Sequence, residues 1–208
     1  MDEGAGALAE LAAALGDRPL GLAQILDALG EAVTVRAPDH RIIYANRAAL
    51  RHMGFASLAK LQARPLGSIM DDYIVRGEDG REISMDDIPS VRLLRGEPAQ
   101  PLLIRTVHRA TGTVRWNLLK AAALRDAGGG VTATVMIIED LTAVKTAELR
   151  SRFLAEASRV LGSSLDYEQT LRSVAWAAVP GLADWCGVDL VDEQGARERV
   201  AAAHPDPE

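Results

Sequence analysis

The stretch that decides the fold is residues 102–142, which read LLIRTVHRATGTVRWNLLKAAALRDAGGGVTATVMIIEDLT. It contains three segments rich in apolar and β-branched residues, a composition that favours strands. Ala110-Thr111-Gly112 separates the first two segments, and DAGGG at 126–130 separates the last two. Short connections that contain glycine are typical of hairpins. The stretch therefore predicts a meander of three antiparallel strands.

A shorter strand pair lies upstream, in AVTVRAPDHRIIYAN at residues 32–46. Pro38-Asp39 marks the turn between its two apolar segments, and Asn46 stands where it can cap a helix over RAALRHM. Short helices are predicted at 57–63 and 86–95, with a polar loop between them around 71–80. Residues 31–141 thus predict an α+β domain built on one five-stranded antiparallel sheet.

Helical patterns flank this region on both sides. Two Ala/Leu-rich segments, 5–15 and 20–29, precede it as an N-terminal helical cap. From Thr142 to about Leu161 the pattern is again helical, with one apolar face. The residues of that face are Phe153, Leu154, Ala157, Val160 and Leu161.

The last part of the chain repeats the mixture of helix and strand. Asp166 is placed to cap a helix at 167–179, which Pro180 and Gly181 end. The segments WCGVDLVD and RVAAAH then predict two strands around a turn at Asp192–Gly195.

Two family resemblances follow from these motifs. Residues 22–143 resemble a PAS domain, through the strand pair ending in YAN, the capped helix, the DIPSVRLLRGE helix, the Arg115-Trp116 pair and the terminal EDLT. Residues 150–208 resemble the opening of a GAF domain, through FLAEASRVLGSSLDYEQTL and the strand pair that follows a second helix.

The resemblance implies an organisation and a context. The expected parts are an N-terminal cap at 1–30, a PAS-like sensor domain at 31–143, a connector helix at 144–162 and a partial GAF-like domain at 163–208. Since a GAF sheet needs more strands, we expect the sequence to be a fragment of a longer protein. The order of domains resembles the input region of bacterial serine phosphatases that regulate sigma factors, or of sensor histidine kinases.

Composition limits the classes of partner. The chain has 208 residues and a formal net charge of −6, and no cluster of Lys and Arg predicts nucleic-acid binding. Its one cysteine, Cys186, suits a reducing cytoplasm, where we expect it to be a buried and inert thiol. No apolar segment approaches the roughly 20 residues of a membrane-spanning helix. A cytoplasmic protein without membrane contact is the expectation.

The pattern of chemically reactive residues does not predict an enzyme. The four histidines, His40, His52, His108 and His204, are scattered, and no metal-binding spacing appears. Gly128–Gly130 lacks the following Lys-Ser/Thr of a phosphate loop. The chain is therefore expected not to be an enzyme, and an enzymatic alternative would need a polar cluster that only folding could assemble.

The resemblance to PAS domains also bears on cofactors. Flavin photosensors of that family carry a cysteine in the region that corresponds to 60–75, and this sequence has none there. Haem-binding members use an axial histidine on the helix before the meander, and residues 84–96 contain none. Flavin and haem are both disfavoured, and no cofactor is predicted.

What remains is an interior pocket. Strand alternation counted back from EDLT directs one set of side chains to the inner face of the sheet. This set either lines a pocket for a small apolar ligand or is simply core. Its members are Asn117, Leu119, Ala121, Met136 and Ile138, with Val91 and Leu94 on the last helix as the far wall.

Two arginines extend this hypothesis. Arg105 and Arg115 lie on neighbouring strands of the meander. If both point inward, they would bind the carboxylate of a fatty or aromatic acid through bidentate hydrogen bonds. If they lie at strand ends instead, they reach solvent, which avoids the cost of a buried charge.

A signal would leave through the helix that follows the sheet. Asp140 and Thr142, at the junction, are the predicted relay residues. The apolar face of the helix needs a partner, and a parallel copy in a homodimer supplies one. The sequence therefore predicts a dimeric sensory segment that acts on an effector in the same polypeptide. The alternative is a dimerisation and relay module that binds no ligand.

Overall fold

The computed structural model describes residues 19–28, 30–65, 67–163, 167–179, 183, 185–192 and 194–204. These residues form two compact units, divided between Leu141 and Thr142. The predicted helix at 5–15 and the capping role of Asp166 lie outside the described residues.

The first unit is an α+β domain around one antiparallel sheet. Two short 3-10 turns, Met70–Asp72 and Met85–Asp87, precede the strand Tyr73–Gly77 and the helix Pro89–Leu94 respectively. The elements are α1 (Pro19–Ala28), β1 (Ala32–Arg36), β2 (Ile42–Ala45), α2 (Arg47–Met53), α3 (Leu58–Gln62), β3 (Tyr73–Gly77), α4 (Pro89–Leu94), β4 (Leu102–His108), β5 (Val114–Arg125) and β6 (Val131–Asp140).

The sheet has six strands, in the order β2-β1-β6-β5-β4-β3. The α+β class is confirmed, but the predicted loop around 71–80 contains the sixth strand. Tyr73–Gly77 pairs antiparallel with β4, from Tyr73 opposite His108 to Gly77 opposite Ile104. Acidic residues flank YIVRG and make the segment resemble a loop. The segment itself contains β-branched residues, which favour a strand, and its Val75 is buried in the core.

The inner face of the sheet forms the core. Because side chains alternate along a strand, every second residue of β1, β4, β5 and β6 points beneath the short helices. The register brings Ala32, Ile138 and Leu119 side by side across three strands. All three are at most 8% exposed. This face positions the pocket described below.

Asn46 holds the N-terminal end of the domain together. Its Oδ1 accepts hydrogen bonds from the backbone N–H of Val33 at 3.0 Å and of Ala49 at 2.8 Å. Its Nδ2 donates to the carbonyl oxygens of Leu26 at 2.7 Å and Glu31 at 2.8 Å. The predicted cap of α2 is confirmed, and the same side chain also joins α1 to β1.

Replacing Asn46 by Ala should strongly destabilise the domain. The substitution leaves two buried backbone N–H groups and two part-buried carbonyls without this partner, and we expect a loss of about 3–5 kcal/mol in the free energy of unfolding. Urea denaturation followed by circular dichroism measures it. Ser57→Ala, which removes the cap of exposed α3, is the matched control and should cost about 1 kcal/mol. Equal losses in the two variants would contradict this role of Asn46.

The second unit is helix and hairpin. Its elements are α5 (Thr142–Ser163), α6 (Tyr167–Ala178), β7 (Cys186–Val191) and β8 (Arg197–Ala203), and β7 and β8 form an antiparallel pair. A small core joins α6 to the hairpin through Ala175, Val179 and Ala203. Cys186 is only partly buried, against the expectation of a buried thiol, because it lies on a two-stranded sheet.

No helix in the described part of the chain is long and apolar enough to cross a lipid bilayer.

Candidate ligand pocket

A pocket of about 140 Å³ lies between the inner face of the sheet and the elements that cover it. Its wall is mainly aliphatic and sulfur-containing, with a few polar side chains, as small-molecule sites usually are. The aliphatic and sulfur-containing side chains of the wall are Ile42, Met53, Ile69, Met70, Val75, Met85, Ile88, Ile104, Leu119, Met136 and Ile138. The polar and aromatic ones are Thr34, Arg36, His52, Tyr73, Thr106, Arg115 and Asn117.

The structure distributes the predicted pocket residues between the wall and the core. Four of them, Asn117, Leu119, Met136 and Ile138, line the pocket. Val91, at 1% exposure, and Ala121 belong to the surrounding hydrophobic core.

The remaining predicted wall residue is Leu94. It is partly buried and is not among the lining residues. Leu94 is the last residue of α4, so the short helix ends before it can close the far wall.

The two predicted arginines face opposite sides of the sheet. Arg105 pairs with Trp116, whereas Arg115 pairs with Thr106, which lines the pocket. Arg105 is therefore on the outer face, because it neighbours Thr106 on the same strand. The hypothesis that both arginines point inward is wrong for Arg105. It assumes that Arg105 and Arg115 share a face of the sheet, whereas the register places them on opposite faces.

Arg115 is turned toward the pocket and is anchored at its rim. Its Nη1 donates a hydrogen bond of 2.6 Å to the backbone carbonyl of His52, at the end of α2. The same side chain also lines two neighbouring surface clefts, one of which contains Asp140. Arg115 thus lies where the pocket, α2 and the end of β6 meet.

Arg36 is a wall residue that the sequence reasoning missed. It lies on the inner face of β1, opposite Thr134 of β6, and is 8% exposed. Burial lowers the pKa of its guanidinium, and no acidic group offsets this effect. Its hydrogen bond to the carbonyl of His40, at 2.6 Å, is with a neutral acceptor. The signal was available, since Arg36 shares the alternation of Thr34 at the end of a buried strand.

Arg36 and Arg115 lie at opposite ends of the inner face. Arg36 is opposite Thr134, while Asn117, two residues from Arg115, is opposite Asp140. The two backbone positions are therefore about eight strand residues apart, or about 26 Å along the sheet. One carboxylate cannot bind both guanidinium groups, so each would act as a separate anchor.

Asn117 brings an amide into the middle of this apolar wall. It is 4% exposed, and its Nδ2 donates a long hydrogen bond of 3.4 Å to the Thr106 hydroxyl. Its Oδ1 is buried and accepts no hydrogen bond of good geometry within the described residues, although it lies close enough to His52 to raise the pKa of that imidazole. Buried polar atoms without partners are uncommon, and this one faces a space that a ligand would fill.

His52 lines the pocket beside Arg115 and Asn117. Burial and the charge of Arg115 lower the pKa of its imidazole, while Asp140 and Asn117 act in the opposite direction without reversing the result. The folded domain therefore favours the neutral imidazole.

Stability should fall on acidification because of His52. Because the pKa of His52 is lowered in the folded state, the unfolded chain takes up the proton at a higher pH than the folded domain does. The contribution of His52 to the free energy of unfolding is therefore fully present above the unfolded pKa of about 6.5 and falls as the pH drops below it. Urea midpoints at pH 7.5 and 5.5 measure this slope, and His52→Gln should flatten it. The control His40→Asn changes a turn residue at φ 65°, where Asn is tolerated. A slope that His52→Gln leaves unchanged would contradict the assignment.

The pocket carries no arrangement of catalytic groups. Among the described residues there is no group of three His, Cys, Asp or Glu side chains that could hold a metal ion. None of the described residues that line the pocket is acidic. What this arrangement can do chemically is bind and orient a small molecule.

The fold and the pocket define a sensory module, and a family model confirms this class. Residues 26–146 match the PAS fold family. The chain belongs to this family, whose domains are non-catalytic sensory modules typical of signal-transduction proteins. No curated protein matches the sequence significantly.

Several solved structures share the fold. A light-oxygen-voltage domain studied with a flavin analogue has 24% identity and a TM-score of 0.41, over 60% of this chain and 85% of that one. The PAS domain of the fruit-fly ELK potassium channel has 14% identity and a TM-score of 0.43, over 58% and 94%. A PAS domain from Colwellia psychrerythraea has 17% identity and a TM-score of 0.40, over 58% and 94%.

Proposed function

We propose that the chain is the sensory input segment of a signal-transduction protein, whose PAS domain binds a small ligand in its interior pocket. The observation that carries the proposal is a buried polar set on an apolar wall. Among the described residues Arg36 has no acidic partner and the buried oxygen of Asn117 accepts no well-formed hydrogen bond, and both side chains line the same pocket. A wall that served only as core would gain from apolar residues at these positions.

The pocket is small, which restricts the ligand. Pockets for drug-sized molecules span about 300–1,000 Å³. An engineered cavity of about 150 Å³ in another protein holds benzene. At about 140 Å³, this pocket suits a compound with a body of that size. No flavin or haem is part of the proposal, in keeping with the absence of the usual cysteine and histidine from residues 60–75 and 84–96.

The strand β5 links the pocket to the exit of the domain. Arg115 and Asn117 line the pocket on either side of Trp116, whose carbonyl accepts a hydrogen bond of 2.8 Å from the amide of Leu141. Asn117 is also directly opposite Asp140. A ligand that moves β5 would therefore move the segment from which α5 begins at Thr142.

We further propose that α5 pairs with the same helix of a second copy. Within α5, Val144 and Leu154 are more than 60% exposed although both are apolar. They share a seam with a period of 3.5 residues, the spacing of a coiled coil. The other members, Ala147, Ser151 and Ser158, are also exposed. The predicted face was partly different, since Phe153 and Ala157 pack within their own unit.

The finer context rests on the resemblance of the sequence. We propose that residues 163–208 open a GAF domain, that an effector of the phosphatase or histidine-kinase type follows in a bacterial protein, and that the protein works in the cytoplasm. The packing of α6 on the β7–β8 hairpin supports the first point. The single cysteine supports the last.

Filling the pocket should abolish ligand binding without unfolding the domain. Ile104 lines the pocket at 5% exposure, and Ile104→Trp places an indole in it. Native mass spectrometry of the freshly purified wild type should show added non-covalent mass, which Ile104→Trp loses while its circular dichroism is retained.

The matched control is Leu103→Trp, which changes the outer face of the same strand. It should keep the ligand mass. Two results together would contradict the ligand-sensor proposal and favour the ligand-free relay. The wild type would carry no added mass, and no small neutral or charged compound would stabilise it against heat.

A further inference from the structure

The end of the pocket near the β1–β2 turn is short of hydrogen-bond acceptors. A guanidinium has five N–H donors. In Arg36 one nitrogen donates to the carbonyl of His40, and no acidic side chain of the described residues forms an ion pair with it. Asp39 is the closest acid in sequence, and Arg41 holds it on the surface with a hydrogen bond of 2.6 Å.

A second group at this end of the sheet has the same deficiency. Thr134 lies opposite Arg36 on β6 and is fully buried. Its Oγ1 has no hydrogen-bond partner among the described residues. This end of the sheet is thus short of hydrogen-bond partners, and its charged donor, Arg36, lines the pocket, where an anion would complete it. A buried charge without a countercharge is energetically costly, and a bound anion would offset that cost.

The rest of the wall decides which anion is suitable. Away from its two arginines, most of the pocket wall is aliphatic or sulfur-containing, as at Ile42, Ile88 and Ile104, which offer no partner to a second charge. A free inorganic anion would leave this part of the pocket empty. An organic acid with one charged end and an apolar body satisfies both parts, because its carboxylate accepts paired hydrogen bonds from a guanidinium.

We propose that the pocket binds a small monocarboxylic acid, with its carboxylate on Arg36 and an apolar body of about four to six non-hydrogen atoms along the inner face. This rests on the proposed function of the pocket as a ligand site. The sequence suggested Arg105 and Arg115 as two possible anchors. The present proposal has a single anchor, Arg36, at the end of the pocket opposite Arg115.

Wild-type protein tests the charge requirement first. Isothermal titration of the full chain with benzoate and isovalerate, and with the isosteric neutral amides benzamide and isovaleramide, compares ligands of equal shape. We expect at least one acid to bind 10-fold or more tightly than its amide. Amides that bind as well as their acids would overturn the carboxylate anchor while the ligand-sensor function stands. No binding by any of the four probes would overturn the inference. A wild type that carries no added mass in native mass spectrometry and that no small compound stabilises against heat would overturn the function itself.

Variants then identify the anchor. Arg36→Met should weaken binding of the acid roughly 10- to 100-fold and leave binding of the amide unchanged. Arg76→Met removes the same charge from the exposed outer face of the sheet, on β3, and should change neither. Arg36→Lys keeps the charge but loses the planar fork, so an intermediate loss is expected, and it replaces Arg36→Met if that variant does not fold. An acid preference that both Arg36 variants retain would overturn the assignment.

Discussion

The Arg36 guanidinium is buried with no countercharge among the described residues, and the character of this PAS domain depends on that constraint. A charge in an apolar environment is tolerated when something else compensates it. Here the chain supplies one backbone carbonyl, while the nearest acid in sequence, Asp39, is engaged by Arg41. The domain therefore keeps an unsatisfied cation on the wall of its own pocket, and a bound anion is the simplest partner for it.

The fold connects this constraint to an output. The strands β1, β6 and β5 lie side by side, so the inner face runs from Arg36 at one end to Asn117 and Arg115 at the other. At that second end β5 also accepts the backbone hydrogen bond of Leu141. The proposed relay therefore acts through β5, which borders the pocket and holds the amide of Leu141 at the end of the domain.

Much of this could be predicted from the sequence, because alternation in a meander fixes which side chains share a face. Counting back from EDLT placed Asn117, Leu119, Met136 and Ile138 on the inner face, where the structure has them. The same rule failed for Arg105, because its strand was read without the register to β5, in which Arg105 is opposite Trp116.

Other features depend on contacts that no local pattern reveals. The strand Tyr73–Gly77 forms because β4 offers it an edge, and its flanking acids are typical of a loop. The burial of Arg36 depends on how the short helices cover the end of β1. Leu94 is predicted to close the far wall from the last helix, yet it is the last residue of α4 and does not line the pocket. Each of these outcomes is set by tertiary packing and not by propensity.

The central claim is that occupation of the pocket is transmitted to the end of the sheet. Amide hydrogen exchange of the full chain, with and without saturating benzoate, tests it at the Leu141 amide, which lies outside the pocket wall. Coupling through β5 predicts that exchange at Leu141 slows together with exchange in the pocket-lining strands. Protection confined to the strands, with Leu141 unchanged, would mean that the domain binds its ligand without signalling through this junction.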